Sequence, residues 1–253
     1  MRGSALVAAF PQVARARRAA VAGAVCAGLA ASLTACGGED PDAGTNGVGK
    51  LSAQEIETKA RAAVDGAHAV RLSGTLVSKG GSYKLNMQLK ADGGTGSVTS
   101  RNSTFALLRV GDALYVKADA GFWDQADGKG GATAADKLGA KYVKVPQGDP
   151  AYKQFRGFTD MNALLDGLLG LHGSLNKGDR TTVSGTRTVR IMGGDKGDGG
   201  TLDVSLKGTP YPLRFERAAG AGVLRLADWD RDFTLAEPGK DETVDYGRQL
   251  PKT

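Results

Sequence analysis
The chain has 253 residues, with 33 lysines and arginines against 27 acids, 41% hydrophobic and 6% aromatic residues, and two cysteines. Four of the basic residues and none of the acids lie in residues 1–35. The remainder therefore carries 29 basic against 27 acidic residues, a near-neutral balance that gives no support to a nucleic-acid partner. Both cysteines, Cys26 and Cys36, precede the main body of the chain, which excludes disulfides, thiolate metal sites and a cysteine nucleophile from it.

Arg2, Arg15, Arg17 and Arg18 come before an apolar run from Ala19 to Leu33. That run, about 15 residues, is shorter than the roughly 20 a bilayer span needs, and it reads as a signal peptide. The residues after Arg17-Arg18 match the twin-arginine motif poorly, which favours the general secretory route. Leu33-Thr34-Ala35-Cys36 has the lipobox pattern of an aliphatic residue, two small ones and a cysteine. The thiol is the nucleophile that receives a diacylglyceryl group, and the small residues let a peptidase reach the backbone before it. Each buried CH₂ contributes about 0.8 kcal/mol, so the two or three acyl chains on Cys36 make a durable anchor. The expectation is a signal peptide over 1–35 and an extracytoplasmic domain held to the outer leaflet of the plasma membrane through Cys36. Residues 36–50, rich in Gly, Asp and Asn, read as a flexible tether that keeps this domain off the bilayer, and 51–253 as a single domain.

Ser52 and Glu55 have the spacing of a capping box, and Ile56, Ala60, Ala63, Val64 and Ala67 share one helical face, so a helix is expected from Ala53 to Gly66. The period then changes to two. Val70, Leu72 and Leu76 lie on one side of a strand. Tyr83, Leu85, Met87, Leu89 and Ala91 alternate with Lys84, Asn86, Gln88 and Lys90, the pattern of an antiparallel strand with one wet face. Gly80-Gly81 lies in the turn between the two strands. Further strands are expected over 95–101, 104–110 and 113–118, with Gly111-Asp112 as a tight turn, and a short one over 141–146. Residues 119–140 are irregular, with a loop tip at Asp127-Gly128-Lys129-Gly130-Gly131. Thr159 is positioned to cap a second helix, where Met161, Leu164, Leu165, Leu168, Leu169 and Leu171 follow the amphipathic template. Gly167 and Gly170 in this segment either allow close backbone contact or keep the helix loose. A second strand block follows at 180–192, 200–208, 211–217, 222–228 and 232–236, then a polar tail.

The order helix, strand block, helix, strand block lacks strand–helix–strand alternation. It predicts an α+β fold, a large curved antiparallel sheet (half-barrel) of about ten strands with helices covering the concave face. Leu72, Leu76, Leu85, Met87, Leu89, Leu107, Leu114, Val116, Leu165, Leu168 and Leu169 would then line the space between sheet and cover. Periodicity alone reads them as a close-packed core. Few aromatics leave aliphatic walls there, which suit acyl chains.

This layout resembles the LppX/LprG lipoproteins of actinobacterial envelopes, related in shape to the periplasmic carrier LolA. The likeness rests on the lipobox at Cys36, the helix from Ser52, Arg71-Leu72-Ser73-Gly74-Thr75-Leu76, Arg109-Val110-Gly111-Asp112-Ala113-Leu114-Tyr115-Val116, Phe122-Trp123 and Leu202-Asp203-Val204-Ser205-Leu206, and covers residues 50–236. It implies a half-barrel around an apolar cavity, with the residues named above as its lipid-binding lining. It also implies an acylated lipid or glycolipid carried within the envelope, the plasma membrane as a partner through the anchor, and an envelope transporter that no residue pattern names. The alternative is a non-catalytic envelope lipoprotein with a filled core, acting as a sensor or protein-interaction module.

Other residue patterns favour structural roles. Asp228, Asp230 and Asp232 alternate as calcium ligands can, but an extended strand aims them along one face rather than around a point, with Arg231 beside them. His68 and His172 have no ligand partners nearby in sequence. Trp123 and Trp229 read as core or rim residues. The sequence has no Gly-x-Ser-x-Gly elbow, Walker loop or His-Glu-x-x-His pair, so no cofactor, metal or catalytic residue is assigned.

Overall fold
The computed structural model describes residues 42–78, 81–100, 103–119, 122, 138 and 141–245. Among these, twelve strands form one open sheet: β1 (Ala69–Ser78), β2 (Gly81–Lys90), β3 (Gly93–Ser100), β4 (Ser103–Val110), β5 (Ala113–Ala118), β6 (Tyr142–Lys144), β7 (Leu175–Val183), β8 (Thr186–Gly193), β9 (Thr201–Ser205), β10 (Pro212–Glu216), β11 (Gly222–Ala227) and β12 (Thr243–Asp245). The three α-helices among the described residues are α1 (Ala53–Asp65), α2 (Pro150–Thr159) and α3 (Met161–Leu168). The strand order is β12-β6-β5-β4-β3-β2-β1-β11-β10-β9-β8-β7. Strands β1 to β6 lie side by side in chain order, as do β7 to β11, and the two blocks meet where β1 pairs with β11.

The register explains why one face is apolar. Directly opposed residues in an antiparallel pair point to the same side of the sheet. Ile191, Leu202, Phe215, Leu224, Gly74, Leu85, Val98 and Phe105 are successive partners from β8 to β4, so they form one row on one face. A parallel row runs Leu226, Leu72, Met87, Gly96, Leu107, Val116 and Val143. The opposite face carries Arg190, Asp203, Arg214, Arg225, Ser73, Asn86 and Ser97 in register. Alternation in the sequence has become a greasy side and a wet side.

The helices cover the greasy side. The Ser52 hydroxyl accepts from Glu55 N, and the Glu55 carboxylate accepts from Ser52 N, closing the capping box that starts α1. Ile56, Ala60 and Val64 turn down onto the core, and α1 lies over β7 and β8. Helix α2 lies over β3, β4 and β5, with Tyr152, Phe155 and Thr159 buried. Gly94 on β3 permits this approach, because a Cβ there would sit 2.7 Å from Leu89 Cδ2 and 3.1 Å from the Thr159 carbonyl oxygen.

Several expectations change. Helix α2 was not anticipated: Asp149 caps it, accepting from Ala151 N at 2.8 Å, and Pro150 occupies the first helical position. Thr159 closes α2 rather than opening α3, whose cap is Asp160, accepting from Ala163 N. Residues 180–192 are not one strand. Ser184 and Gly185, both at positive φ (48° and 81°), make a two-residue hairpin between β7 and β8. No strand forms over 232–236. Instead Thr243–Asp245 pairs in parallel with β6, so the sheet is mixed at that edge. Residues 42–50, expected in the flexible tether, are docked. Asn46 N donates to Leu206 O at 2.9 Å, Val48–Lys50 forms a 3-10 turn, and Val48 and Gly49 are buried. Cys36, Gly80, Trp123 and the loop tip at 127–131 lie outside the described residues.

Candidate functional site
Ten of the eleven residues expected to line the interior are buried in a single cluster: Leu72, Leu85, Met87, Leu89, Leu107, Leu114, Val116, Leu165, Leu168 and Leu169. Leu76 is partly buried and packs against them. Sheet residues and cover residues thus meet as their periodicity requires. Met87 fills space that Gly96 leaves open, since a Cβ at Gly96 would lie 2.7 Å from its sulfur. The walls are not purely aliphatic. Phe105, Phe122 and Phe155 form a tilted aromatic cluster, with ring centroids 5.3, 5.6 and 6.5 Å apart.

Between α1 and α3 the cover parts into a cleft of about 110 Å³. Its floor is the buried set Ala60, Val64, Leu165, Leu169, Leu202 and Pro212, and its rim is Glu57, Arg61, Asp65 and Asp166. On the rim, Arg61 pairs with Glu57 at 2.8 Å. The cleft therefore offers charge at its mouth and hydrocarbon at its base. Other depressions in the described surface are charged or glycine-rich, such as those beside Arg71, Asp228 and Arg231 and beside Lys196, Asp198 and Arg217.

Sequence reasoning did not single out Arg109 as a polar anchor in the covered face. This side chain is 4% exposed at the end of β4, opposite Leu114. Its Nε donates to Thr159 Oγ1 (3.2 Å), Nη2 to Thr159 O (2.9 Å) and Nη1 to Gly111 O (2.8 Å). A cation is thereby set against the carbonyl end of α2, where the helix dipole is negative. Its only sequence signal was a charge at an inward position of an alternating strand.

The carboxylates after β11 are already engaged. Asp230 accepts from His68 N at 2.8 Å and from the Tyr211 hydroxyl, Asp232 pairs with Lys90 at 3.3 Å, and Asp228 faces Arg231 at 3.5 Å. Hydrogen bonds from Tyr211 and from His68 N hold the Asp230 carboxyl below its usual range. Trp229 stacks on Tyr211 at 4.5 Å and donates from Nε1 to Pro212 O, so it is a rim residue. Among the described residues no group of three or more His, Cys, Asp or Glu is placed to hold a metal, and no helix is long and apolar enough to cross a membrane.

The fold and its apolar interior define an open sheet with a helical cover, the architecture the sequence resemblance implied. Among solved structures, LprF from Mycobacterium bovis is similar to this chain, with a TM-score of 0.50, 18% identity, and coverage of 74% of this chain and 96% of LprF. The lipoprotein LppX of Mycobacterium tuberculosis aligns with a TM-score of 0.41, 13% identity, and coverage of 72% and 97%. No protein-family model matches the sequence, and no curated protein matches it either. The likeness to LprF is one of fold.

Proposed function
We propose that this protein is a membrane-anchored, non-catalytic lipoprotein that binds an acylated lipid or glycolipid beneath its helical cover and carries it within the cell envelope. The observation that carries this reading is the α1–α3 cleft, whose charged rim and apolar floor repeat the division of an amphiphile into head and tail. At about 110 Å³ it is smaller than the roughly 300–1,000 Å³ of typical ligand pockets, so loading requires α3 to move away from α1. Helix α3 is suited to this motion. It has eight residues, fewer than the roughly 12–15 an isolated helix needs, and depends on tertiary contact to persist. Its displacement would expose Leu165, Leu168 and Leu169 together with the inner rows of the sheet. Acylated Cys36 would keep the carrier at the membrane that supplies its cargo.

Native mass spectrometry of the chain isolated from membranes tests the reading, and a co-isolated amphiphile is the expected result. Leu169→Trp, which fills the cleft from its more exposed end, should lower uptake of a fluorescent fatty-acyl probe at least ten-fold at an unchanged unfolding temperature. A bare mass, or uptake indifferent to Leu169→Trp, overturns it. The second reading, an interaction or sensor module with a filled core, is favoured by the near-complete burial of Leu72, Met87, Leu89, Leu114 and Val116. It expects the bare mass.

A further inference from the structure
Both helices that border the α1–α3 cleft end in a way that helix electrostatics disfavour. The carbonyl end of a helix carries partial negative charge, and a cation in the last turn offsets it. Helix α1 ends at Asp65 with no basic residue in its last turn, and α3, with Asp166 in its last turn, has none either. Both carboxylates are exposed and line the cleft, and neither has a hydrogen-bond or ion-pair partner among the described residues. Arg61, the one cation among the residues that line the cleft, is taken by Glu57: its Nε and Nη2 both donate to Glu57 Oε1, at 3.0 and 2.8 Å. The rim thus holds three acids against one base. Leu169, the residue that closes α3, lies in the same cleft, so the carbonyl ends of both helices border it.

A solvated helix face intersperses both signs of charge, as Glu55 and Lys59 do one turn apart on α1. The cleft end of the same helix does not. Its acid opposes its own helix end and completes no ion pair, so the fold does not account for it, and the same holds for Asp166. Directly beneath both lies hydrocarbon: Ala60, Val64, Leu165, Leu169, Leu202 and Pro212. We propose that the cleft selects an acylated lipid whose headgroup carries a positive charge, such as an amine, and rejects anionic headgroups, with Asp65 and Asp166 as the selecting residues. This rests on the carrier reading above and narrows its cargo by headgroup charge. An ammonium at the mouth donates to the two carboxylates and lies against the carbonyl ends of α1 and α3, while the acyl chain follows the apolar floor. A phosphate or carboxylate head meets the same negative groups and is repelled. Exposed ion pairs contribute modestly, roughly two- to five-fold each, so two carboxylates that attract one sign and repel the other separate the two kinds of head about ten-fold. Both groups are exposed, so salt screens the selection.

The test uses the full chain isolated from membranes in uncharged detergent, with an equimolar mixture of acyl probes of one chain length. Each probe carries a photoreactive group in its tail, and the heads differ: a primary ammonium, a hydroxyl or a sulfonate. After irradiation, intact mass reads how much of each probe has attached, and peptide mapping reads where. Attachment within α1 and α3 is expected, with the ammonium probe at least ten-fold over the sulfonate probe at low salt and the hydroxyl probe between them. Asp65→Asn with Asp166→Asn should bring that ratio below three-fold, at an unfolding temperature equal to or above that of the parent chain, because both substitutions relieve their helix ends. Salt at about 0.5 M should lower the parent's ratio in the same way. Asp179→Asn, which removes an exposed acid of β7 outside the cleft, should leave the ratio unchanged. Attachment at α1 and α3 with a ratio near one overturns the headgroup selection and leaves the carrier standing. A ratio that survives the double substitution or high salt overturns Asp65 and Asp166 as its source. Absence of attachment at either helix overturns the carrier reading and this inference with it.

Discussion
Arg109 joins the helical cover to the sheet through one buried guanidinium. It satisfies the buried last carbonyl of α2 and, nearer the surface, the Gly111 carbonyl. Truncation leaves the buried Thr159 carbonyl without its donor, at about 1–3 kcal/mol, and removes the packed guanidinium beneath α2. Arg109→Ala should therefore destabilise the domain by about 3 kcal/mol in urea unfolding, and Arg109→Lys, with a compact ammonium in place of the planar fork, should lie between the two. Tyr115 and Tyr211 show a second residue-scale effect. Burial, aided by hydrogen bonds to Glu237 and Asp230 respectively, pushes each phenol up to about 12 from an ordinary value of 10.0. Because the folded value is the higher one, the stability these phenols contribute is complete below pH 10 and is lost as pH rises from 10 to about 12. Tyrosinate absorbance should show both groups titrating near pH 12, and Tyr211→Phe should remove one of them.

The elements differ in how plainly their residues announced them. α1 was legible because a capping box and a one-sided apolar stripe agree. α2 carried its own signal, Asp149-Pro150 followed by Tyr152, Phe155 and Thr159 on one face, but the longer leucine run beside it dominated the pattern. The single strand expected at 180–192 split because Ser184-Gly185 reads as part of an extended polar stretch until the chain is seen to reverse there. The parallel β12 had no signal beyond three residues of ordinary composition. Gly167 lies inside α3 and Gly170 beyond its end, and a Cβ at either would meet nothing within 4 Å. Close backbone contact is therefore not their role. Gly167→Ala should stabilise α3 by about 0.5–1 kcal/mol, raising the unfolding temperature. If α3 is the moving part of the cover, the same change should slow exchange of the acyl probe. A higher unfolding temperature with unchanged exchange would place the moving element elsewhere.

At the scale of the whole molecule, the sheet is continuous because β1 accepts a strand on each side. Leu72 stands opposite Met87 on β2 and Leu226 on β11, so one residue ties the first meander to the second across more than 150 positions of sequence. The docking of residues 42–50 changes the picture in the same way, turning a segment of linker composition into part of the fold through the ion pair of Asp42 with Arg180. Alternation and capping spacings depend on neighbours a few residues apart, and they were sufficient to determine α1, most strands, the membership of the apolar cluster and the lipobox pattern at Cys36. The β1–β11 seam, the split hairpin, the burial of Arg109 against Thr159, the width of the α1–α3 cleft and the docking of residues 42–50 were decided only by the tertiary structure. Each depends on which distant groups arrive at the same place, and local periodicity carries no information about that.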